Sequence, residues 1–246
     1  MIRLSVNLNK VALLRNSRHT GVPDPVRFAG IVHAAGAAGV TLHPRPDERH
    51  VRRTDVDAIA TAIAGWRPAF ELNLEGYPDE RFLAIVRAAR PEQITLVPDS
   101  PDAFTSDAGW KLDAAERAVV ERFLLAVRPL GARVILFCDP DADAAMRIAD
   151  TGAQGLEIYT GEYAAAHRIG RPAEALAQCA AAAEAGRARG LMVNAGHDLN
   201  THNLPALVKR VPWLHEVSIG HELTADALEI GMAGAIGAYK DALRPG

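Results

Sequence analysis

Eight short apolar runs recur along the chain, each long enough for one β-strand and each followed by a polar residue. The residues that end the runs are Asn7, His43, Glu75, Asp99, Asp139, Glu157, His197 and His221. Burial stabilises an apolar run, whereas a histidine or carboxylate loses hydration on burial unless it is paired or faces water. The pattern therefore predicts eight parallel strands whose carboxyl ends surround one polar site, as in a (β/α)8 barrel.

The segments between the runs have the composition and periodicity of helices. We expect helices over residues 25–38, 54–64, 79–89, 114–130, 142–151, 173–189, 204–211 and 224–243. Strict alternation of strands and helices is typical of a parallel sheet. An open, doubly wound sheet is the alternative, but no GxGxxG motif follows the first run. Eight units within 246 residues favour one (β/α)8 TIM-barrel domain that spans residues 1–246.

The charge and the cysteines argue against several classes of protein. With 27 Lys and Arg against 30 Asp and Glu, the net charge is −3, so we expect no nucleic-acid partner. No run reaches the ~18 apolar residues that a membrane span needs, and we expect no signal peptide because the chain begins directly with a strand. Cys138 and Cys179 form no CxxC motif, which predicts reduced thiols in the cytoplasm and no structural zinc site.

Two connections at the predicted catalytic end, residues 98–112 and 160–172, are longer than a following helix requires. Long loops at this end are commonly lids or binding loops. The first contains Phe104 and Trp110 among small polar residues. It is either a mobile cover with apolar anchors or a surface loop fixed by its aromatic side chains.

The second strand end, HPRPDERH, has the highest density of chemically active side chains. Alternation along a strand directs His43 and Arg45 to the same side. Histidine titrates near neutral pH, and arginine offers a planar set of donors to phosphate. The pair predicts proton transfer beside an anionic substrate, and the alternative is a solvated charged loop.

Two carboxylates follow apolar positions in the third and sixth strands. Desolvation would raise the pKa of Glu75 or Glu157 and suit either residue to acid–base catalysis. The alternative for each is a structural ion pair with an arginine inside the barrel. Tyr159 lies on the same face of its strand as Glu157 and could orient it.

The seventh and eighth strands both end in a Gly-His pair, Gly196-His197 and Gly220-His221. Loops after these strands of a barrel commonly bind phosphate through backbone N–H groups at a helix N-terminus. Near the first strand, Asn7 and Asn9 share a face, and the nearby Arg18 could hold an anion.

Seven motifs then occur in a fixed order: VNLNKVALLRNSR, TLHPRPDERH, NLEG, LVPD with a later TSDAGW, EIYTGEYA, VNAGHDL and SIGH. Together they resemble the pyridoxine 5′-phosphate synthase family from about residue 5 to the last helix. The resemblance implies a TIM barrel with additional helices, a homo-octamer, and no metal or organic cofactor. It also implies condensation of 3-amino-2-oxopropyl phosphate with 1-deoxy-D-xylulose 5-phosphate. The products are pyridoxine 5′-phosphate, inorganic phosphate and water, in vitamin B6 biosynthesis.

The resemblance also implies roles for matching positions. The catalytic set is His43 as general base, Glu75 as second acid–base group, His197 as proton donor and Glu157 as the carboxylate that stabilises charged intermediates. The amino-ketone phosphate set is Asn7, Arg18, Gly220 and His221. The sugar phosphate set is Arg45, His50 and Thr105, the last in a loop that closes over the substrates in the family.

Three positions depart from the commonest form of the family. Asn9-Lys10 stands where Asp-His is common, and Lys10 could serve as a cationic contact to the sugar phosphate. Asp198 stands where glycine is common, so its N–H suits a phosphate only if its carboxylate turns away. Tyr159 replaces a frequent histidine.

Two other functions remain open at this point. The histidines and carboxylates at the strand ends could bind a divalent metal in an isomerase-like barrel. The departures at Asn9, Lys10 and Asp198 would also suit a non-catalytic barrel that binds phosphorylated metabolites.

Overall fold

The computed structural model describes residues 1–98 and 108–244 and contains a closed barrel of eight parallel strands. The strands are β1 (Arg3–Asn7), β2 (Gly39–Leu42), β3 (Glu71–Gly76), β4 (Gln93–Leu96), β5 (Arg133–Cys138), β6 (Gly155–Tyr159), β7 (Met192–Gly196) and β8 (Glu216–Ile219). Each strand pairs with the next in sequence, and β8 pairs with β1. The predicted barrel is therefore confirmed, and the open sheet is excluded.

Eleven α-helices cover the barrel within the described residues. They are α1 (Asn9–Asn16), α2 (Pro25–Ala34), α3 (Arg53–Ala62), α4 (Glu80–Ala89), α5 (Ala114–Val127), α6 (Ala142–Ala149), α7 (Gly161–Arg168), α8 (Ala173–Ala188), α9 (Leu204–Arg210), α10 (His221–Ile230) and α11 (Met232–Ala242). The predicted start of α2 is confirmed, because the Asp24 side chain accepts a hydrogen bond from the N–H of Val26.

The helices differ from the prediction at three places. Residues 9–16, for which no helix was predicted, form α1, which buries Val11, Ala12 and Arg15. The connection 160–172, expected to be a long loop, contains α7. The single helix expected over 224–243 is two helices, because Gly231 adopts a φ of 75° between them and a right-handed helix cannot pass through that conformation.

The barrel interior is more polar than the apolar runs suggest. Thr41 Oγ1 lies 2.7 Å from Ser5 Oγ, accepts from Ser218 Oγ at 3.2 Å, and accepts from Asn73 Nδ2 at 3.3 Å. Thr95 donates in turn to Asn73. Branched apolar side chains dominate most barrels of this class. Here the hydrogen bonds compensate for the burial of these polar groups.

Across residues 1–98 and 108–244, no helix has both the length and the apolar character needed to cross a membrane.

A cavity of about 680 Å³ lies between α5 and the start of β5, lined in part by Leu124, Leu125 and Arg128. It lies at the N-terminal end of β5 and is lined by none of the predicted site residues.

Candidate active site

The carboxyl ends of the strands bring most of the predicted residues to one rim. Asn7 ends β1, Glu75 lies one residue before the end of β3, and His43 follows β2 directly. His197 follows β7, and Gly220 follows β8. Because all the strands are parallel, these positions share the end of the barrel at which TIM-barrel active sites lie.

Asn7, Asn9, His43 and Glu75 form a closed ring of contacts. Asn7 Oδ1 accepts from the backbone N–H of Asn9 at 2.9 Å, and Asn9 Oδ1 accepts from the N–H of His43 at 3.0 Å. Asn7 Nδ2 donates to Glu75 Oε2 at 3.3 Å, and the same oxygen lies 4.0 Å from His43 Nδ1. The asparagine at position 9 therefore holds the backbone from which the His43 imidazole projects.

The His43 imidazole is held in its neutral form. The side chain is buried, and burial is the largest cause of a pKa well below its ordinary value of 6.5. Electrostatic interactions with His50, Arg45 and Arg81 lower this pKa further. A neutral imidazole accepts a proton, so this environment suits His43 to act as a base.

Arg81 is a residue that sequence reasoning missed. It is the second residue of α4, and its charge acts on His43. Its Nε is buried without a hydrogen-bond partner among the described residues. The only sequence signal was its place in the first turn of the helix that follows the NLEG motif.

Glu157 lies deeper, in β6, and its charged form is disfavoured. It is 3% exposed, and its Oε2 has no hydrogen-bond partner within the described part of the chain. Burial, followed by the charges of Glu75 and Glu216, raises its pKa well above the ordinary value of 4.5. A Cβ atom at Gly196 would overlap Oε1 of Glu157. Gly196 therefore leaves the space that this carboxyl occupies.

His197 and Asp198 both have left-handed backbone conformations, with φ values of 80° and 55°. Such values are uncommon outside glycine and must be supported by surrounding contacts. The buried Thr160 hydroxyl lies 2.5 Å from the carbonyl oxygen of Gly196 and 2.6 Å from that of His197, and it shares its one hydrogen between them. The His197 ring also lies 5.3 Å from the ring of Tyr159. These contacts fix the orientation of His197 at the rim.

The Asp198 carboxylate is directed toward α7. Its Oδ2 lies 4.0 Å from Nη2 of Arg168, which also pairs with Glu222 at 2.9 Å. Asn203 Nδ2 donates to the carbonyl of Asp198 at 3.1 Å. The Asp198 carboxylate therefore lies beside a cation of α7, and phosphate binding by its N–H stays a prediction.

Lys10, Arg45 and His50 form a second polar group beside His43. Arg45 and His50 are buried. Burial, then the charges of Arg45 and Lys10, lower the pKa of His50 to about 4. His50 is consequently neutral near pH 7, and the positive charge of this group belongs to the lysine and the arginine. Such a group suits a phosphate.

The start of α10 offers a separate place for an anion. His221 is its first residue, and Gly220 precedes it without a side-chain cap. A Cβ at Gly220 would lie 3.1 Å from Cβ of Asn7, so the backbone here approaches Asn7 closely. Uncapped N–H groups at a helix N-terminus favour anions.

Arg18 and the expected lid complete the set of predicted positions. Arg18 is exposed in the turn after α1. Thr105, Asp99 and most of the expected lid lie outside the described residues. Trp110, one of the two expected aromatic anchors, is buried and donates to the carbonyl of Leu96 at 2.8 Å. Asp139 accepts from the N–H of Gly109 at 2.7 Å, which is a structural contact.

Histidine and carboxylate side chains at the rim are of the types that bind divalent metals. Among residues 1–98 and 108–244, no group of three or more His, Cys, Asp or Glu side chains is arranged to hold one.

Comparison with known proteins decides the family. The profile of the family described as pyridoxal phosphate biosynthesis protein PdxJ matches residues 4–245. The chain belongs to the PdxJ family. A pyridoxine 5′-phosphate synthase from Mesorhizobium japonicum is 49% identical over 238 residues, which cover 96% of each chain. One from Porphyromonas gingivalis is 46% identical over 248 residues, covering 99% of each. PdxJ membership thus extends over nearly the whole chain.

Solved structures similar to this PdxJ chain share its fold at low sequence identity. Phosphoribosyl anthranilate isomerase from Thermotoga maritima aligns over 99% of this chain and 98% of its own, with a TM-score of 0.59 and 13% identity. Tryptophan synthase from M. tuberculosis aligns over 100% and 93%, with a TM-score of 0.64 and 13% identity. These similarities support the TIM barrel and carry no argument about substrate.

Proposed function

We propose that the chain catalyses the ring-forming condensation of 3-amino-2-oxopropyl phosphate with 1-deoxy-D-xylulose 5-phosphate to give pyridoxine 5′-phosphate. One observation carries the proposal beyond family membership. His43, a base held neutral, and Glu157, an acid whose protonated form is favoured, lie at the same end of one barrel. Two groups suited to phosphate lie at the same end, and both substrates are phosphorylated.

His43 and Glu75 carry the early proton transfers in this proposal. An amine must condense with a ketone, and protons must leave carbon and nitrogen before the ring becomes aromatic. His43 accepts a proton because burial and neighbouring positive charges keep it neutral. Glu75, whose Oε2 is 4.0 Å from His43 Nδ1 and accepts from Asn7, exchanges protons with it or with the substrate. Well-placed acids and bases each contribute about 10²–10⁴-fold.

Glu157 and His197 act on the later steps. Condensation of an amine with a ketone creates a positively charged nitrogen. This charge would lower the pKa of Glu157, which Glu75 and Glu216 raise. Glu157 then gives its proton to the hydroxyl that leaves the condensing carbon as water, and the resulting carboxylate stabilises the cation. His197, held beside Tyr159, donates a proton to a departing group.

The two phosphates are assigned to different groups. The sugar phosphate binds near Lys10, Arg45 and His50, with Thr105 as a further contact. The amino-ketone phosphate binds the N–H groups at Gly220 and His221, beside Asn7 and the N–H of Asp198, with Arg18 as an additional cation. Because Arg18 is exposed, solvent would screen its charge, and it should contribute least to binding this phosphate.

We also propose a cytoplasmic homo-octamer. The cysteines Cys138 and Cys179 are both buried as free thiols, which suits a reducing compartment. Leu14 on α1 and Leu228 on α10 are 50% and 76% exposed, and an assembly would cover such side chains. Light scattering coupled to gel filtration tests this assembly, and a monomer at all concentrations would contradict it.

Turnover tests the proposed reaction. The protein is incubated with both substrates, and pyridoxine 5′-phosphate is followed by absorbance and mass. Each substrate alone is the control. We expect product only with both substrates present. Binding of both substrates without any product would instead identify a non-catalytic barrel and overturn the proposal.

A further inference from the structure

A buried ion pair lies behind the segment that carries His50. Arg15 of α1 contacts Asp55 of α3 through two bonds, Nη1 to Oδ1 at 2.5 Å and Nη2 to Oδ2 at 2.8 Å. The two residues are 7% and 9% exposed. A two-bond arginine–carboxylate pair has a defined geometry as well as a defined charge. This pair therefore fixes α1 and α3 relative to each other.

The same side chains hold the backbone between these helices. Arg15 Nη2 donates to the carbonyl of His50 at 3.2 Å. Asn16 Nδ2 donates to the carbonyls of Arg49 at 3.0 Å and His50 at 2.8 Å, and it lies 3.3 Å from the carbonyl of Glu48. Arg15 Nε donates to Asn16 Oδ1 at 3.0 Å, which orients this amide. Two side chains of α1 thus converge on the His50 carbonyl.

Asp55 completes the arrangement from the other side. Its Oδ2 accepts from the N–H of Arg52 at 2.8 Å, at the start of α3. The backbone from residue 48 to residue 52 is consequently attached at both ends to one hydrogen-bonded cluster, formed by the buried Arg15 and Asp55 and the half-buried Asn16. None of these three side chains belongs to the predicted catalytic or substrate-binding set.

The orientation of this backbone decides which atom His50 presents. The Nδ1 atom of His50 accepts from the N–H of Val51 at 2.9 Å. In a neutral imidazole one nitrogen accepts and the other carries the hydrogen, so Nε2 is the donor. A rotation of the His50 backbone would break the Nδ1 contact and redirect the Nε2–H.

We propose that Arg15, Asn16 and Asp55 are positioning residues that aim the Nε2–H of His50 at the phosphate of 1-deoxy-D-xylulose 5-phosphate. The identity of that ligand rests on the proposed function. Lys10, six residues from Asn16 on the same helix, acts electrostatically on His50. Helix α1 therefore contributes one cation of the phosphate group and also fixes the position of a neutral donor in it.

A purely stabilising ion pair would behave differently, and the chain offers a matched control. Arg67 and Glu92 are each 16% exposed, and Arg67 Nε contacts both Glu92 oxygens, at 2.8 and 3.0 Å. Arg67 also donates to a carbonyl, and Glu92 accepts from the N–H of Leu72. Arg67 precedes β3 and Glu92 directly precedes β4, so the pair lies at the end of the barrel opposite the rim.

The experiment compares Arg15→Lys and Asn16→Ala with Arg67→Lys in the full chain. Lysine keeps the charge but cannot make the two-bond contact. We expect Arg15→Lys and Asn16→Ala to raise the KM for 1-deoxy-D-xylulose 5-phosphate by about 10-fold, because small displacements of a positioned group are costly. The KM for the amino ketone should change by less than about 2-fold. Arg67→Lys should lower the Tm comparably to Arg15→Lys while leaving both KM values unchanged.

A second measurement does not depend on turnover. Nitrogen-15 NMR of labelled histidine, assigned with His50→Gln, reports which ring nitrogen carries the hydrogen. We expect Nε2–H in the wild type and a mixture of tautomers in Asn16→Ala, with weaker calorimetric binding of 1-deoxy-D-xylulose 5-phosphate. If the wild type gives no product, the proposed function fails, while the NMR result still decides the positioning role.

Two outcomes would overturn the inference. One is an unchanged sugar-phosphate KM and an unchanged His50 signal in both variants. The other is an equal rise of both substrate KM values, which would indicate a general structural loss. If Arg15→Lys does not fold, Asn16→Ala decides, because it removes one amide and leaves the ion pair intact.

Discussion

Replacing Glu157 by glutamine removes a buried carboxyl group whose charge the barrel disfavours. Burial is the largest cause of its raised pKa, and the charges of Glu75 and Glu216 add to it. Glutamine has nearly the same shape but does not titrate. The difference in stability between wild type and Glu157→Gln therefore isolates the titration of this one group.

The sign of the effect follows from proton binding. A carboxyl whose pKa is higher in the folded state binds more protons in the folded than in the unfolded protein. Its contribution to the free energy of unfolding is therefore complete below the unfolded-state pKa and is lost as the pH rises through the folded-state pKa. Each pH unit between the two values costs about 1.4 kcal/mol. Above about pH 4.5, the free energy of unfolding of the wild type should fall, relative to that of Glu157→Gln, by up to this amount for each pH unit.

Urea unfolding at one-unit intervals between about pH 4 and pH 8 measures this difference. The two proteins should have similar free energies of unfolding at the acid end, and the variant should be increasingly more stable toward the alkaline end. Glu75→Gln supplies the control, because it removes the second cause of the raised Glu157 pKa. The difference in unfolding free energy between Glu75→Gln and the double variant Glu75→Gln/Glu157→Gln should therefore be smaller than that between wild type and Glu157→Gln. Parallel curves over the whole range would refute the reasoning and indicate an ordinary pKa for Glu157.

Three further predictions concern the rim. Gly196→Ala places a methyl group where the Glu157 carboxyl lies. We expect this variant to lose about 1–3 kcal/mol of unfolding free energy and to have a lower kcat. A fully active variant with a normal Tm would contradict this. His43→Ala should reduce turnover by at least about 10²-fold with an unchanged Tm, and near-normal turnover would reject His43 as the base. Because the pKa of His43 is lowered, the acid limb of kcat/KM that this base produces should lie below pH 6.5, and a limb at or above that value would argue against a neutral buried imidazole.

The barrel and its rim were accessible from sequence because they depend on local patterns. Apolar runs alternating with helical segments specify parallel strands, and parallel strands bring their carboxyl ends together. Asn7, His43 and Glu75 were found as residues that end or follow such runs. Their contacts, including Asn9 Oδ1 with the His43 N–H, depend on the barrel register, which no single run contains.

Other features were hidden because they join distant parts of the chain. The Arg15–Asp55 pair spans 40 positions, and an arginine in a helix usually lies at the surface. Helix α1 was missed because one of its three buried residues is this arginine, so its apolar face is narrow. The short α7 is similarly difficult to recognise, since only Tyr163, Ala164 and Gly161 are buried.

The polar barrel interior was missed for a different reason. Ser5, Thr41 and Thr95 are small and lie within otherwise apolar strands, where they are compatible with burial on either face. Only closure of the barrel brings them into hydrogen-bonding distance. Burial of Glu216 in this interior raises its pKa to about 7, an effect that the sequence alone could not indicate.

Release of inorganic phosphate together with pyridoxine 5′-phosphate is the most direct test of the proposed reaction. Two phosphates enter with the substrates and one remains in the product, so atom balance requires one free phosphate for each ring formed. We expect equal amounts of the two products from the wild type and at least about 10²-fold slower formation of both from His43→Ala. Phosphate release without pyridoxine 5′-phosphate, or equal rates from the two proteins, would contradict the assignment of this rim as the ring-forming site.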